Sequence, residues 1–301
     1  MLALLMFLAM VFPGSAVAAE AHDVFYQGNL APRNIVPTFE NGYLVVYDID
    51  SKIALYAPDG SLVYKAAAQV DGASWVHVSN AGVDSDGTLA AAVEYRRPKA
   101  SDQRGGIAIL DRTGAQTLFL DTGEYSPTHV SFGPDHSIWT IGWRRNASDS
   151  DYFVLRNYSI AGQLIGAFLS RSSFEPEPDP VGPCEGGWQL RVVNGKVGAL
   201  FYSSSILKPG QRPRPLAEWV ETDLKGKEIG RYDVPASMLA FTQGGALYAQ
   251  LPGGISVFEW ATSHWRPLTG MPDGILVGAE GASLVFELRG ENTLRWVPVS
   301  Q

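Results

Sequence analysis

The sequence predicts an all-β fold, a six-bladed β-propeller of four-stranded antiparallel blades closed by its N-terminal strand. Three observations carry that reading. Glycine and proline are frequent, at 32 and 19 of 301 residues, so the chain turns often. Only 18% of residues are charged, which disfavours long solvated helices, while 46% are hydrophobic, enough for a buried core. Above all, a turn signal between two short alternating strands recurs roughly every 36 to 59 residues, the spacing of propeller blades.

The elements follow in order. Six first hairpins turn at Asn41-Gly42, Asp86-Gly87, Asp135-His136, Asn194-Gly195, Gly244-Gly245 and Glu280-Gly281. Asn-Gly, Asp-Gly and Gly-Gly supply the positive φ that two-residue hairpins require, and their flanks carry β-branched and aromatic residues at period two. In most copies a second hairpin follows, turning at Gly60, Gly114, Gly162, Gly226 and Thr262-Ser263. Two hairpins in series make a four-stranded meander, which is one blade. The sixth copy is one strand short, whereas DVFYQ (Asp23 to Gln27) stands unpaired near the N-terminus. Placing that segment as the outer strand of the last blade closes the ring and hides two open edges. Seven blades is the alternative count, because the stretch from Ser170 to Gly187 has room for further strands.

The segments GVDSDGTLAAAV and SFGPDHSIWTIGW, each followed by a strand and a Gly turn, resemble the repeats of six-bladed propellers of the NHL and TolB-like kind. Such propellers serve as binding scaffolds, lyases, hydrolases and cyclotransferases, so the resemblance implies a fold and leaves the activity open.

Residues 1–18 read as a secretory signal peptide, leaving 19–301 as a single propeller domain. An apolar run from Leu2 to Phe12 precedes the small-residue pattern Ala16-Val17-Ala18, although no Lys or Arg stands before the run. The run is too short to cross a bilayer, and no later segment approaches the required length. The expected location is secreted or periplasmic. Cys184 is the only cysteine, so no internal disulfide is possible and the core must hold the fold. A formal charge of −8 disfavours nucleic acid as a partner.

Loop lengths point to one face. Turns within the hairpins are short, whereas the long segments Arg96 to Gly106, Arg144 to Asp151, Ser170 to Gly187 and Ser203 to Ala217 are B-C loops or a D-A link, which share one side of the disc. The three long B-C loops hold nine basic residues against three acidic ones, while the rest of the chain holds 14 against 28. Arginine forks grip carboxylates in two-point fashion, so an anionic extracytoplasmic glycan or peptide is the expected ligand. The candidate residues are Arg96, Arg97, Arg144, Arg145 and Arg212, with Trp75 and Trp188 opening inner strands at the channel mouth, where a ring can stack on a sugar.

Enzymatic chemistry finds weaker support. His77 and His129 occur in the matching strings His-Val-Ser of neighbouring inner strands, and with Asp273 they are the acid-base candidates of a propeller lyase, hydrolase or cyclotransferase. No HExxH, Cys/His cluster, GxSxG elbow or phosphate loop accompanies them, so neither metal nor cofactor is expected. A structural partner role in an envelope protein complex is the third reading.

Overall fold

The computed structural model describes residues 20–27, 37–48, 51–98, 103–144, 152–174, 189–204, 215–235, 238–241, 244–288 and 291–299. An outlying strand, β1 (His22–Phe25), comes first. Blade 1 then runs β2 (Thr38–Glu40), β3 (Tyr43–Tyr47), β4 (Lys52–Tyr56) and β5 (Leu62–Ala67). Blade 2 is β6 (Trp75–Val83), β7 (Leu89–Arg96), β8 (Gln103–Leu110) and β9 (Gln116–Gly123). Blade 3 is β10 (Tyr125–Phe132), β11 (Ile138–Arg144), β12 (Phe153–Tyr158) and β13 (Leu164–Ser170), ending in a single 3-10 turn at Arg171–Ser173. Blade 4 is β14 (Gln189–Val193), β15 (Lys196–Ser204), β16 (Pro215–Asp223) and β17 (Glu228–Pro235). Blade 5 is β18 (Met238–Phe241), β19 (Leu247–Leu251), β20 (Gly254–Glu259) and β21 (His264–Pro267). Blade 6 takes β22 (Gly274–Glu280), β23 (Ser283–Leu288) and β24 (Thr293–Pro298).

The count is therefore six, not seven: every described strand falls in one of six four-stranded sheets. The fourth strand of blade 6 is β1, paired antiparallel to β24 from His22 opposite Trp296 to Phe25 opposite Thr293. Asp23 grips Arg295 through two hydrogen bonds of 2.7 Å, His22 stacks on Trp296 at 5.0 Å, and Tyr26, fully buried, joins the core just beyond. Closure by the N-terminal strand follows from the sequence, since β24 would otherwise expose an unpaired edge.

The core is distributed as one hydrophobic cluster per blade junction. Val45, Leu55, Val78 and Tyr95 join blades 1 and 2. Ala90, Ile109, Val130 and Tyr158 join blades 2 and 3, and Trp139, Leu155, Leu190 and Phe201 join blades 3 and 4. Trp219, Leu239 and Phe258 link blades 4 and 5, Tyr248, Leu276 and Phe286 link 5 and 6, and Tyr26, Phe39, Val277 and Trp296 close 6 onto 1. Alternation along each strand produces this pattern, because successive side chains face the preceding and the following blade.

Turn chemistry matches expectation in blades 1 and 4 and differs in the other four. Asn41-Gly42 and Asn194-Gly195 have positive φ at both residues, as two-residue hairpins need. In blades 2 and 3 the loop is longer: Gly87 N–H bonds the Asp84 carbonyl and His136 N–H the Gly133 carbonyl, so Gly87 and His136 take the single left-handed position after a type I turn. Gly226 shows why glycine recurs at the second hairpins. Its φ is +77°, and an added Cβ would stand 1.9 Å from the Phe168 ring of the preceding blade, which packs flat against the turn.

Candidate functional site

In each blade the outgoing end of the second strand and the incoming end of the first lie on the same face. Trp75 and Arg96 therefore meet there as direct cross-strand partners in blade 2. Trp75 is 42% exposed and stacks on His77 two residues on, with centroids 5.8 Å apart and planes 14° from parallel. His77 lies opposite Glu94, which accepts a hydrogen bond from the Gln103 amide. Ser74 Oγ donates to the Arg96 carbonyl at 3.1 Å, tying the entry of β6 to the exit of β7. Arg97 lies over the Tyr95 ring at 5.6 Å, and both Arg96 and Arg97 are exposed. The product is an aromatic shelf of Trp75 and His77 with Arg96 beside it and Arg97 at the next position.

Charge on this face is more balanced than the loop sequences suggest. Arg144 pairs with Glu124 at 2.6 Å, and Arg104 pairs with Asp121 at 3.3 Å. Tyr95 Oη also donates to Asp121, at 2.8 Å. Asp121 and Glu124 belong to β9 and the link after it, outside the loops in which the positive charge was counted, and the fold brings them alongside. Arg145, Arg212 and Trp188 lie outside the described residues.

Deeper in, the inner strands border a central channel, and here the structure gathers residues that the sequence reading left unmarked. Glu40, at the end of β2, is 9% exposed. Its carboxylate accepts hydrogen bonds from Ser131 Oγ, from the Val83 N–H at 2.9 Å and from the Phe132 N–H. Ser131 Oγ in turn accepts the Val192 N–H at 3.2 Å. Asn80 donates to Thr38 Oγ1 at 3.3 Å and accepts the Val130 N–H at 3.1 Å. One carboxylate thus links the inner strands of blades 1 to 4. Gly82 makes room for it, since a Cβ there would lie 2.8 Å from Glu40 Oε2 and 2.9 Å from the Val130 carbonyl. Burial raises the Glu40 pKa, opposed by the nearby Arg191 charge and the three donors.

His129 and Arg191 lie on the neighbouring inner strands β10 and β14. Burial first, and the Arg191 charge second, push the His129 imidazole down to about 3, so it is neutral at physiological pH. Its Nδ1 is sealed from solvent and has no hydrogen-bond partner among the described residues. The acid-base candidates do not assemble: His77, His129 and Asp273 come from β6, β10 and the entry to β22, and no hydrogen bond or ion pair among the described residues joins them. Nor does any group of three or more His, Cys, Asp or Glu among the described residues have a metal-binding arrangement. Asp84-Ser85-Asp86-Gly87 forms a turn whose first carboxylate bonds His136 of the next blade.

These features define a six-bladed β-propeller, a class that comparison with solved structures supports. A Bacteroides fragilis protein designated as exported aligns over 95% of this chain and 98% of its own, with 11% identity and a TM-score of 0.51. The Dos1 propeller aligns over 85% of this chain and 74% of its own, at 10% identity and a TM-score of 0.45. A gluconolactonase from Xanthomonas campestris aligns over 88% and 85%, at 14% identity and a TM-score of 0.46. At such identities the likeness concerns the fold alone. No family model and no curated protein sequence matches the chain. Among the described residues no helix is long and apolar enough to cross a membrane.

Proposed function

We propose that this chain is an exported binding module that holds an anionic extracytoplasmic ligand, an acidic glycan or a peptide carboxylate, on the face bearing its long loops. The observation that carries the reading is the pairing of Trp75 with Arg96, an exposed ring on an inner strand beside an exposed cation, with Arg97 exposed at the next position. A sugar or peptide plane stacked on Trp75 gains apolar contact, and an adjacent carboxylate gains charge-assisted hydrogen bonds from the guanidinium groups. The ion-paired Arg104 and Arg144 contribute less, because a ligand must compete with Asp121 and Glu124. Arg145, Arg212 and Trp188 stay candidates for the same ligand on the sequence alone. Export rests on the segment 1–18, whose removal after Ala18 leaves the mature chain starting just before β1.

Retention on an immobilised polyuronate tests this reading. The wild-type chain is expected to be retained at low salt and released as salt rises, whereas the Arg96→Glu, Arg97→Glu double variant should pass through. Equal retention of both would overturn it. Export is checked separately by N-terminal sequencing of the protein recovered outside the cytoplasm, which should begin at Ala19.

A further inference from the structure

Six outer strands, one to each sheet, form the rim of the disc: β1, β5, β9, β13, β17 and β21. An outer strand presents a row of unpaired backbone N–H and C=O groups, and proteins ordinarily guard such an edge with charged side chains. Five of these six are guarded. β1 carries Asp23, β5 Lys65, β9 Asp121, β17 Glu228, Arg231 and Asp233, and β21 Arg266. β13, with the sequence LIGAFLS, carries no charge, and the whole run from Ser159 to Ser170, which includes its hairpin turn, has no Asp, Glu, Lys, Arg or His.

The same edge is apolar and open. Four of the eleven large apolar side chains left exposed among the described residues lie here: Ile165 at 58%, Leu164 at 53%, Phe153 at 48% and Ile160 at 43%. Phe153 stands opposite Ser170 and so borders the strand. The turn at Gly162 packs beside Leu118 and Leu120 of β9, both half-buried, which carries the apolar zone onto blade 2. Among the described residues no backbone hydrogen bond ties residues 164–169 to anything but β12.

Such an edge suits a second copy of itself. In a two-fold contact the strand meets its own copy antiparallel, so a charge on it would stand near its like, which is destabilising. β13 alone among the outer strands escapes that penalty, and a charged partner finds nothing on it to pair with. Leu169 has φ +55°, a left-handed backbone foreign to a strand, so regular pairing covers residues 164–168 and centres on Gly166. We infer that this chain forms a two-fold dimer in which β13 pairs antiparallel with β13 of a second copy, joining two blades into one continuous sheet. Gly166 then lies on the axis, where its missing side chain leaves space for the Phe168 ring, 2.2 Å from where a Cβ would stand. Ile165 of each copy opposes Ala167 of the other, and water is excluded by Leu164 and Ile160. The contact does not rest on the ligand reading, since Trp75 and Arg96 belong to β6 and β7 of blade 2.

Sedimentation velocity of the full mature chain over a wide concentration range tests the dimer, together with hydrogen exchange at low and high concentration. The wild type should pass from monomer to dimer with a dissociation constant on the order of 10 μM, because one strand pair with its flanking side chains falls at the small end of specific interfaces. The amides of residues 164–168 should gain protection as it does. Ile165→Lys should weaken association at least about tenfold, equivalent to about 1.4 kcal/mol, because two lysines then flank the axis. Val63→Lys, on the outer strand of blade 1 where Val63 is 44% exposed, should dimerise as the wild type does. So should the Arg96→Glu, Arg97→Glu variant, which separates failure of this contact from failure of the ligand surface. If Ile165→Lys does not fold, Leu164→Lys is read in its place. A wild type that stays monomeric throughout, a dimer whose β13 amides gain no protection, unchanged association in the folded β13 variant, or equal dissociation by Val63→Lys would each overturn the inference.

Discussion

The two halves of the propeller axis contrast. Toward the short-turn face, Glu40, Ser131 and Asn80 form a closed network in which each carboxylate and amide oxygen has a donor, and four inner strands meet on it. Toward the long-loop face, His129 Nδ1 lacks a partner among the described residues, and Trp75 is exposed. One end is built as a keystone, and the other carries an exposed ring above an unpartnered imidazole nitrogen.

The largest effect that sharpens this contrast comes from the ring itself. Deleting His22 to Gln27 removes the outer strand of blade 6, takes Tyr26 out of the core and bares the edge of β24. The expected product aggregates or loses cooperative unfolding, read by size-exclusion chromatography and thermal circular dichroism. Next in size, Glu40→Ala leaves Ser131 and two backbone N–H groups without an acceptor and should cost about 3 kcal/mol in urea unfolding. Gly226→Ala should cost about 2 kcal/mol, because its Cβ meets Phe168. Gly245→Ala, also at positive φ (+84°) but with no atom within 4 Å of the added carbon, should cost only about 1 kcal/mol.

The smallest expected effect depends on pH. His136 in blade 3 bonds Asp84 of blade 2, which raises its pKa above the ordinary value. A raised folded-state pKa means that the contact stabilises fully below the unfolded value of about 6.5 and fades as pH rises through the folded one. Melting temperature should therefore fall slightly on the alkaline side, and His136→Asn should flatten that dependence. An identical profile in the variant would show that this inter-blade contact does not contribute.

Blade number, strand order and closure were legible because hairpin turns and period-two alternation are local signals, and β1 was conspicuous as a strand without a neighbour. Trp75, Arg96 and Arg97 could be placed on the loop face for the same reason. The neutralisation of Arg104 and Arg144 was not legible, since Asp121 and Glu124 come from a neighbouring segment that only the blade geometry brings close. The axial network was hidden for a stronger reason. Glu40 sits before an Asn-Gly turn and Arg191 within an alternating strand, so each looks like an ordinary exposed charge until four sheets are arranged around one axis. A charged residue on a strand already assigned to the inner position was the available signal.

Unfolding free energies of Glu40→Ala and His129→Leu, measured side by side against the wild type, test the division of the axis most directly. The account predicts a loss of about 3 kcal/mol for the first and no loss, or a small gain, for the second, because the leucine removes a buried nitrogen without a partner among the described residues. Equal destabilisation by the two substitutions would contradict it, since His129 would then be as much a part of the keystone as Glu40.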